Sequence, residues 1–140
     1  MTARIAPARP VDSGEWDGRL RNARDFRRDA EELIALRDDD DNANGVITLI
    51  VNAAIAYADA LTGKYGGFVN QQDHRAVSAG LARALGQRAD KTQLKRLGTI
   101  LGHKDASSYG PRRSPRQKAQ DLLEQLDRFA SWVEEEMERR

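Results

Sequence analysis

Two groups of residues in this chain have the types and spacing to do chemistry. The first is Asn52, Asp59, Lys64, Asp73, His74 and Arg75. Asp73 and His74 fall in the first turn of a predicted helix, where the helix dipole favours a carboxylate and disfavours an imidazolium. If the two flanking helices pack antiparallel, the intervening loop brings Asp73 or His74 close to Asp59. An Asp–His pair held in this way is an oriented general base, and the same residues can form the polar wall of a small-ligand or nucleotide site. The competing role is structural, with Asp73 capping its helix and Asp59 answered by Lys64 or Arg75 as a tie between helices. The second group is His103, Lys104, Tyr109, Arg112, Arg113 and Arg116. Clustered cations beside an exposed aromatic ring bind phosphates and stack a base, and a helix N-terminus near Ser114 adds unpaired N–H groups suited to an anion. Here the competing role has Tyr109 anchoring its loop and the arginines pairing with the acidic C-terminal helix.

Other chemistries are excluded or poorly supported. The run Thr62–Gly67 (TGKYGG) lacks the spacing of a phosphate-binding P-loop. Asp38–Asp41 lacks the glycine and bidentate glutamate of a calcium loop and reads as a solvated, self-repelling turn. Ser107 and Ser108 have no evident triad partners. With no cysteine, disulfides, thiolate catalysis and cysteine-based zinc sites are excluded. Two histidines without an i, i+4 ligand pair leave no expected metal site, and no cofactor is expected.

The elements that must position these residues are all helical. Asp12 caps a first helix, with Glu15 in the capping-box position. Trp16, Leu20, Ala23, Phe26, Ala30 and Leu33 form its apolar stripe, which ends near Leu36. Asp38–Gly45 is a loop. A nearly all-apolar second helix covers about Val46–Thr62, with Gly63 as its terminating residue. Thr48, Asn52 and Asp59 share one face of it. Asn70 caps a third helix over about Gln71–Leu85, and Asp90 caps a fourth that Gly102 ends. His103–Arg113 is a loop. Ser114, Pro115 and Gln117 start a last helix with Leu122, Leu126, Phe129, Val133 and Met137 on one stripe. No strand pattern or internal repeat is visible. The expected fold is an all-α antiparallel bundle of four to five helices, with residues 1–11 as a flexible arm and residues 12–140 as a single domain.

At 140 residues the chain is long enough for one self-sufficient core. The formal net charge is +1, but residues 88–118 hold nine basic residues against Asp90 and Asp105, and the rest of the chain has an acidic excess. That asymmetry suits an anionic partner such as RNA. The N-terminal residues have no apolar signal region. The longest apolar run, Val46–Leu61, is broken by Thr48, Asn52 and Asp59, which makes it too short and polar to span a bilayer. A cytoplasmic location without membrane association is the expectation.

The pattern NAAIAYADAL, a short loop, DHRA, a helix pair and then KDASSYG resembles the small bacterial members of the HEPN superfamily of helical bundles over roughly residues 12–137. The resemblance implies a four- to five-helix bundle, usually dimeric, with roles in toxin–antitoxin, antiphage or RNA-processing systems. Active members are metal-independent ribonucleases with an Arg-x4–6-His motif, in which the histidine assists attack by the ribose 2′-hydroxyl and the arginine stabilises the phosphate. Arg96 and His103 stand at that spacing. Leu97 occupies a usually polar position, however, and Gly102 ends the helix just before His103. The resemblance therefore implies first an accessory or binding domain that acts as a homodimer through protein and RNA contacts. The second reading is a ribonuclease using Arg96 and His103, and the third a small-ligand bundle around Asp59, Asp73 and His74.

Overall fold

In a computed structural model, which describes residues 8–70 and 74–139, the chain runs as strand β1 (Ala8–Pro10), helices α1 (Ser13–Leu36) and α2 (Asn44–Gly66), and strand β2 (Phe68–Asn70). Helices α3 (Val77–Leu85), α4 (Lys91–Leu101), α5 (Lys104–Tyr109) and α6 (Arg116–Glu138) follow. Short 3-10 turns occupy His74–Ala76 and Gly86–Arg88. The expected all-α bundle is the observed architecture, 79% helical, with the one small sheet as an accessory.

Helix α2 is the axis of the bundle because it has almost no residue fit for water. Val46, Ile47, Ile50, Val51, Tyr57 and Leu61 are fully buried along it, and Ala53, Ala54, Ala58 and Ala60 let the neighbouring helices approach closely. Helices α1, α3, α4, α5 and α6 all pack on it. Helix α1 contributes Leu20, Ala23, Ala30 and Ile34, and α6 contributes Leu122, Leu126, Phe129 and Val133. By length and composition α2 could cross a bilayer, but 72% of its most apolar window is buried inside the bundle.

Charged side chains tie the helix ends together. Lys64 Nζ donates to the carbonyls of Glu136 (3.0 Å), Met137 (2.6 Å) and Arg139, which α6 leaves unpaired at its C-terminus. Arg116 Nε does the same for Ile34 O at the end of α1 (3.0 Å). Between α1 and α6, Arg24 pairs with Glu134 through both carboxylate oxygens, and Arg27 Nε with Asp127 at 2.8 Å.

Several predicted boundaries need correction. The Asp12 cap holds, with Glu15 N donating to its Oδ1 at 3.0 Å. The N-terminal arm is not wholly free. Residues 8–10 pair antiparallel with residues 68–70, an interaction between segments far apart in sequence, and residues 1–7 lie outside the described region. Helix α2 does not stop at Gly63 but runs to Gly66, and Gly67 terminates it in the left-handed conformation (φ 71°). Gly63 serves a different purpose. A Cβ there would stand 3.0 Å from both Trp16 Cβ and Val11 Cγ2, so its missing side chain lets α1 cross α2. Asn70 belongs to β2 rather than capping a helix, and α3 starts at Val77. The expected first turn over Gln71–Asp73 lies outside the described residues. The supposed loop 103–113 contains α5, a helix too short to show a periodic stripe. Helix α6 begins at Arg116 with Pro115 as its cap residue, and Ser114 instead accepts from Ala43 N at 2.8 Å.

Gly63→Val should destabilise the protein by about 1–3 kcal/mol through overpacking at the α1–α2 crossing. Gly45→Ala, where an added Cβ meets nothing within 4 Å in the first turn of α2, should be neutral or stabilising by up to about 1 kcal/mol. Urea unfolding of the two variants checks both, and equal midpoints would discount the crossing.

Candidate functional site

Asp59 is the one carboxylate set into the apolar axis helix, and it is 4% exposed. Arg19 of α1 donates from Nη1 to its Oδ2 at 3.2 Å, while Oδ1 has no partner among the described residues. Removal from water pushes the Asp59 carboxyl up to about 6, with the Arg19 guanidinium pulling in the other direction. A buried acceptor left without a donor is costly, so its retention in a well-packed helix needs an explanation.

Asp59 and Ile55 line two adjoining clefts. One, of about 250 Å³, lies between α1 and α2 and includes Arg19, Asn22, Phe26 and Asn52. The other, of about 310 Å³, is built from five segments: Ile55 and Asp59 of α2, Asn70 of β2, His74 of the 3-10 turn, Val77 of α3, and Lys104, Asp105 and Tyr109 of α5. Apolar walls at Ile55 and Val77 and a ring of donors and acceptors make it a mixed site of small-ligand size.

The cleft's rim is held by polar contacts that dock α5 onto α2. Lys104 Nζ donates to Asn52 Oδ1 at 3.1 Å, and Thr48 Oγ1 lies 3.2 and 3.3 Å from the hydroxyls of Ser107 and Ser108. Asn70 Nδ2 donates to Ala76 O at 3.3 Å, which shapes the turn carrying His74. Arg75 lies 3.6 Å from Asp105 and links that turn to α5. After Tyr109 the chain can turn away only because Gly110 has no Cβ, which would stand 2.6 Å from Ala106 O. Tyr109 is left 81% exposed at the cleft mouth.

The two groups inferred from the sequence thus meet in part. Asp59 and His74 of the first share a cleft with Lys104 and Tyr109 of the second, and Asn52 touches it through Lys104. Arg75 stands at its edge, and Asp73 lies outside the described residues. Lys64 does not belong to this cluster. It is drawn to the carbonyls ending α6, because the continued α2 carries it past Asp59. Arg116 likewise turns away from the basic stretch to the end of α1. Arg112 and Arg113 are exposed, and the Arg112 carbonyl accepts from Asn44 Nδ2 at 2.8 Å. Sequence reasoning missed Arg19, Asn70 and Asp105. The signal for a partner was the carboxylate in an apolar helix, but nothing local named Arg19 as the donor.

Arg96 and His103 sit along the face of α4 toward α6. Arg96 is engaged at 2.9 Å by Gln125 Oε1 and at 3.0 Å by Gln93 Oε1. It lines a cleft of about 580 Å³ with Asp127, Arg128 and Trp132, and His103 is not part of that cleft. Burial, and then the nearby Lys118 ammonium, push the His103 imidazole below its ordinary value.

The raised Asp59 value carries a sign for stability. Between the unfolded value near 3.8 and the folded value near 6, the native state holds a proton that the unfolded chain has released, so stability falls as pH rises through this window. Asp59→Asn removes that slope. Relative to wild type, it should gain roughly 2–3 kcal/mol between pH 4 and 7. Melts of both proteins across that range test this, and parallel curves would contradict the buried-carboxyl assignment.

No protein-family model matches this chain, and it matches no curated protein.

Proposed function

We propose that this protein is a HEPN-like accessory domain that binds single-stranded RNA without cleaving it, as one subunit of a homodimer. The observation that carries this reading is the meeting of Lys104 and Tyr109 with Asp59 and His74 in one cleft, with Arg112 and Arg113 exposed on the segment that leaves it. A cation, an exposed ring and exposed arginines in succession suit a strand whose phosphates track the charges and whose base reaches the ring. The acidic excess outside residues 88–118 keeps RNA from other surfaces. A non-catalytic role is favoured because the Arg96 guanidinium is occupied by two glutamines and His103 lies outside the cleft that Arg96 lines.

One observation favours the ribonuclease reading instead. His103 is biased toward the neutral imidazole, the form that accepts a proton from a 2′-hydroxyl.

A fluorescently labelled single-stranded RNA should bind in EDTA with a strong salt dependence, losing affinity between about 50 and 200 mM salt. Tyr109→Ala should weaken binding about tenfold or more by removing the stack, and Arg112→Ala should lower the salt slope by about 1. The RNA should remain intact. Cleavage to 2′,3′-cyclic phosphate ends that His103→Ala abolishes would replace the binding role with the catalytic one. Absence of both binding and cleavage would reject RNA as the partner.

A further inference from the structure

We infer that the Asp59 cleft is a base-reading pocket that selects an amino-bearing nucleobase, with the attached phosphate directed outward past Tyr109 toward Arg112 and Arg113. The inference rests on the RNA-binding reading above and adds to it which part of the ligand is recognised and by what. Asp59 is nine-tenths or more buried, borders the cleft, and keeps one oxygen without any donor. The missing donor is best supplied from outside the protein, because Arg19 already serves the other oxygen.

The composition of the cleft narrows the ligand. Two carboxylates, Asp59 and Asp105, face the ammonium of Lys104, while Ile55 and Val77 supply apolar walls. Such balanced charge does not favour placing a phosphate inside. It suits a flat, neutral heterocycle whose faces contact the apolar walls and whose edge exchanges hydrogen bonds with the rim. The volume of about 310 Å³ is near the lower end for ligand sites, suited to one nucleoside rather than two. An unpartnered carboxylate oxygen accepts from the exocyclic amine of adenine, cytosine or guanine. Uracil presents its single N–H between two carbonyl oxygens, whose lone pairs oppose the carboxylate. A site with a buried acceptor rejects the analogue that leaves it unpaired. Outside the cleft, Tyr109 and then Arg112 and Arg113 offer a ring and two cations in the order in which a sugar and phosphate would leave.

Two sources share this chemistry, a free mononucleotide and a base within single-stranded RNA, and the experiment separates them. Wild-type protein is titrated with short oligoadenylate, oligocytidylate and oligouridylate, and its melting temperature is followed with AMP, CMP and UMP. The expected result is at least about tenfold weaker binding of oligouridylate, with that preference abolished in Asp59→Asn. RNA bound with equal affinity whatever its base would overturn the inference and leave the RNA-binding role standing. Stabilisation by AMP and CMP but not UMP, with no oligonucleotide bound, would uphold the base pocket and overturn RNA as the source. No response to any oligonucleotide or nucleotide would overturn both. Should Asp59→Asn fail to fold, the discrimination shown by wild type decides the matter, and Ile55→Trp, which fills the cleft from a half-buried position, should remove it.

Discussion

A helix that is apolar on every side can be shielded from water only by being surrounded, and this requirement on α2 organises the rest of the molecule. Helices α1 and α6 are each about as long as α2 and lie along it, while α3, α4 and α5 close the remaining sides. The alanines at 53, 54, 58 and 60 allow close packing, and Gly63 allows the closest crossing, against Trp16 and Val11. The hydrophobic effect has no direction, so burial alone does not determine how each helix is aligned along the axis. That alignment comes from polar ties at the ends. Lys64 holds the last carbonyls of α6 and Arg116 holds that of α1, so each cation meets the partial negative charge of a helix terminus. The Arg24–Glu134 and Arg27–Asp127 pairs set the register of α1 against α6.

The same apolar axis gives Asp59 its unusual character. On a surface helix this side chain would be an ordinary solvated carboxylate. Within α2 it loses water, gains one guanidinium contact at 3.2 Å, and keeps an oxygen unanswered. Nearby, the small α5 helix is attached to α2 largely through polar contacts at Thr48, Asn52 and Lys104 rather than through a deep apolar seam. The cleft therefore lies where the shielding of the axis changes from apolar to polar. Polar groups there are available to a ligand without opening the core.

Much of the fold was legible in the sequence. The 3.6-residue recurrence of Leu20, Ala23 and Ala30, and of Leu122, Leu126, Phe129 and Val133, placed α1 and α6, and Asp12 and Asp90 capped α1 and α4 as their positions implied. The errors fell where no periodic signal exists. Strand β1 is three residues that gain a partner only when β2 arrives from far along the chain. Helix α5 has six residues, fewer than two turns, so no stripe marks it. Gly63 looked like a terminator because a glycine with no visible neighbour reads as a stop, whereas its neighbours are on another helix.

For the site, the sequence alone determined that Asp59 is a carboxylate in an apolar helix and that a cationic segment with one tyrosine follows near residue 104. Both follow from composition and helical period, which are local properties. Only the tertiary structure decided that Arg19 is the partner of Asp59, that Lys64 and Arg116 are taken up by helix ends, and that Tyr109 stands at the mouth of the cleft holding Asp59 and His74. The reason is that a long side chain with a charged head can reach several partners. Which one it meets depends on the crossing and register of helices distant in sequence, and those are settled by packing around α2 as a whole.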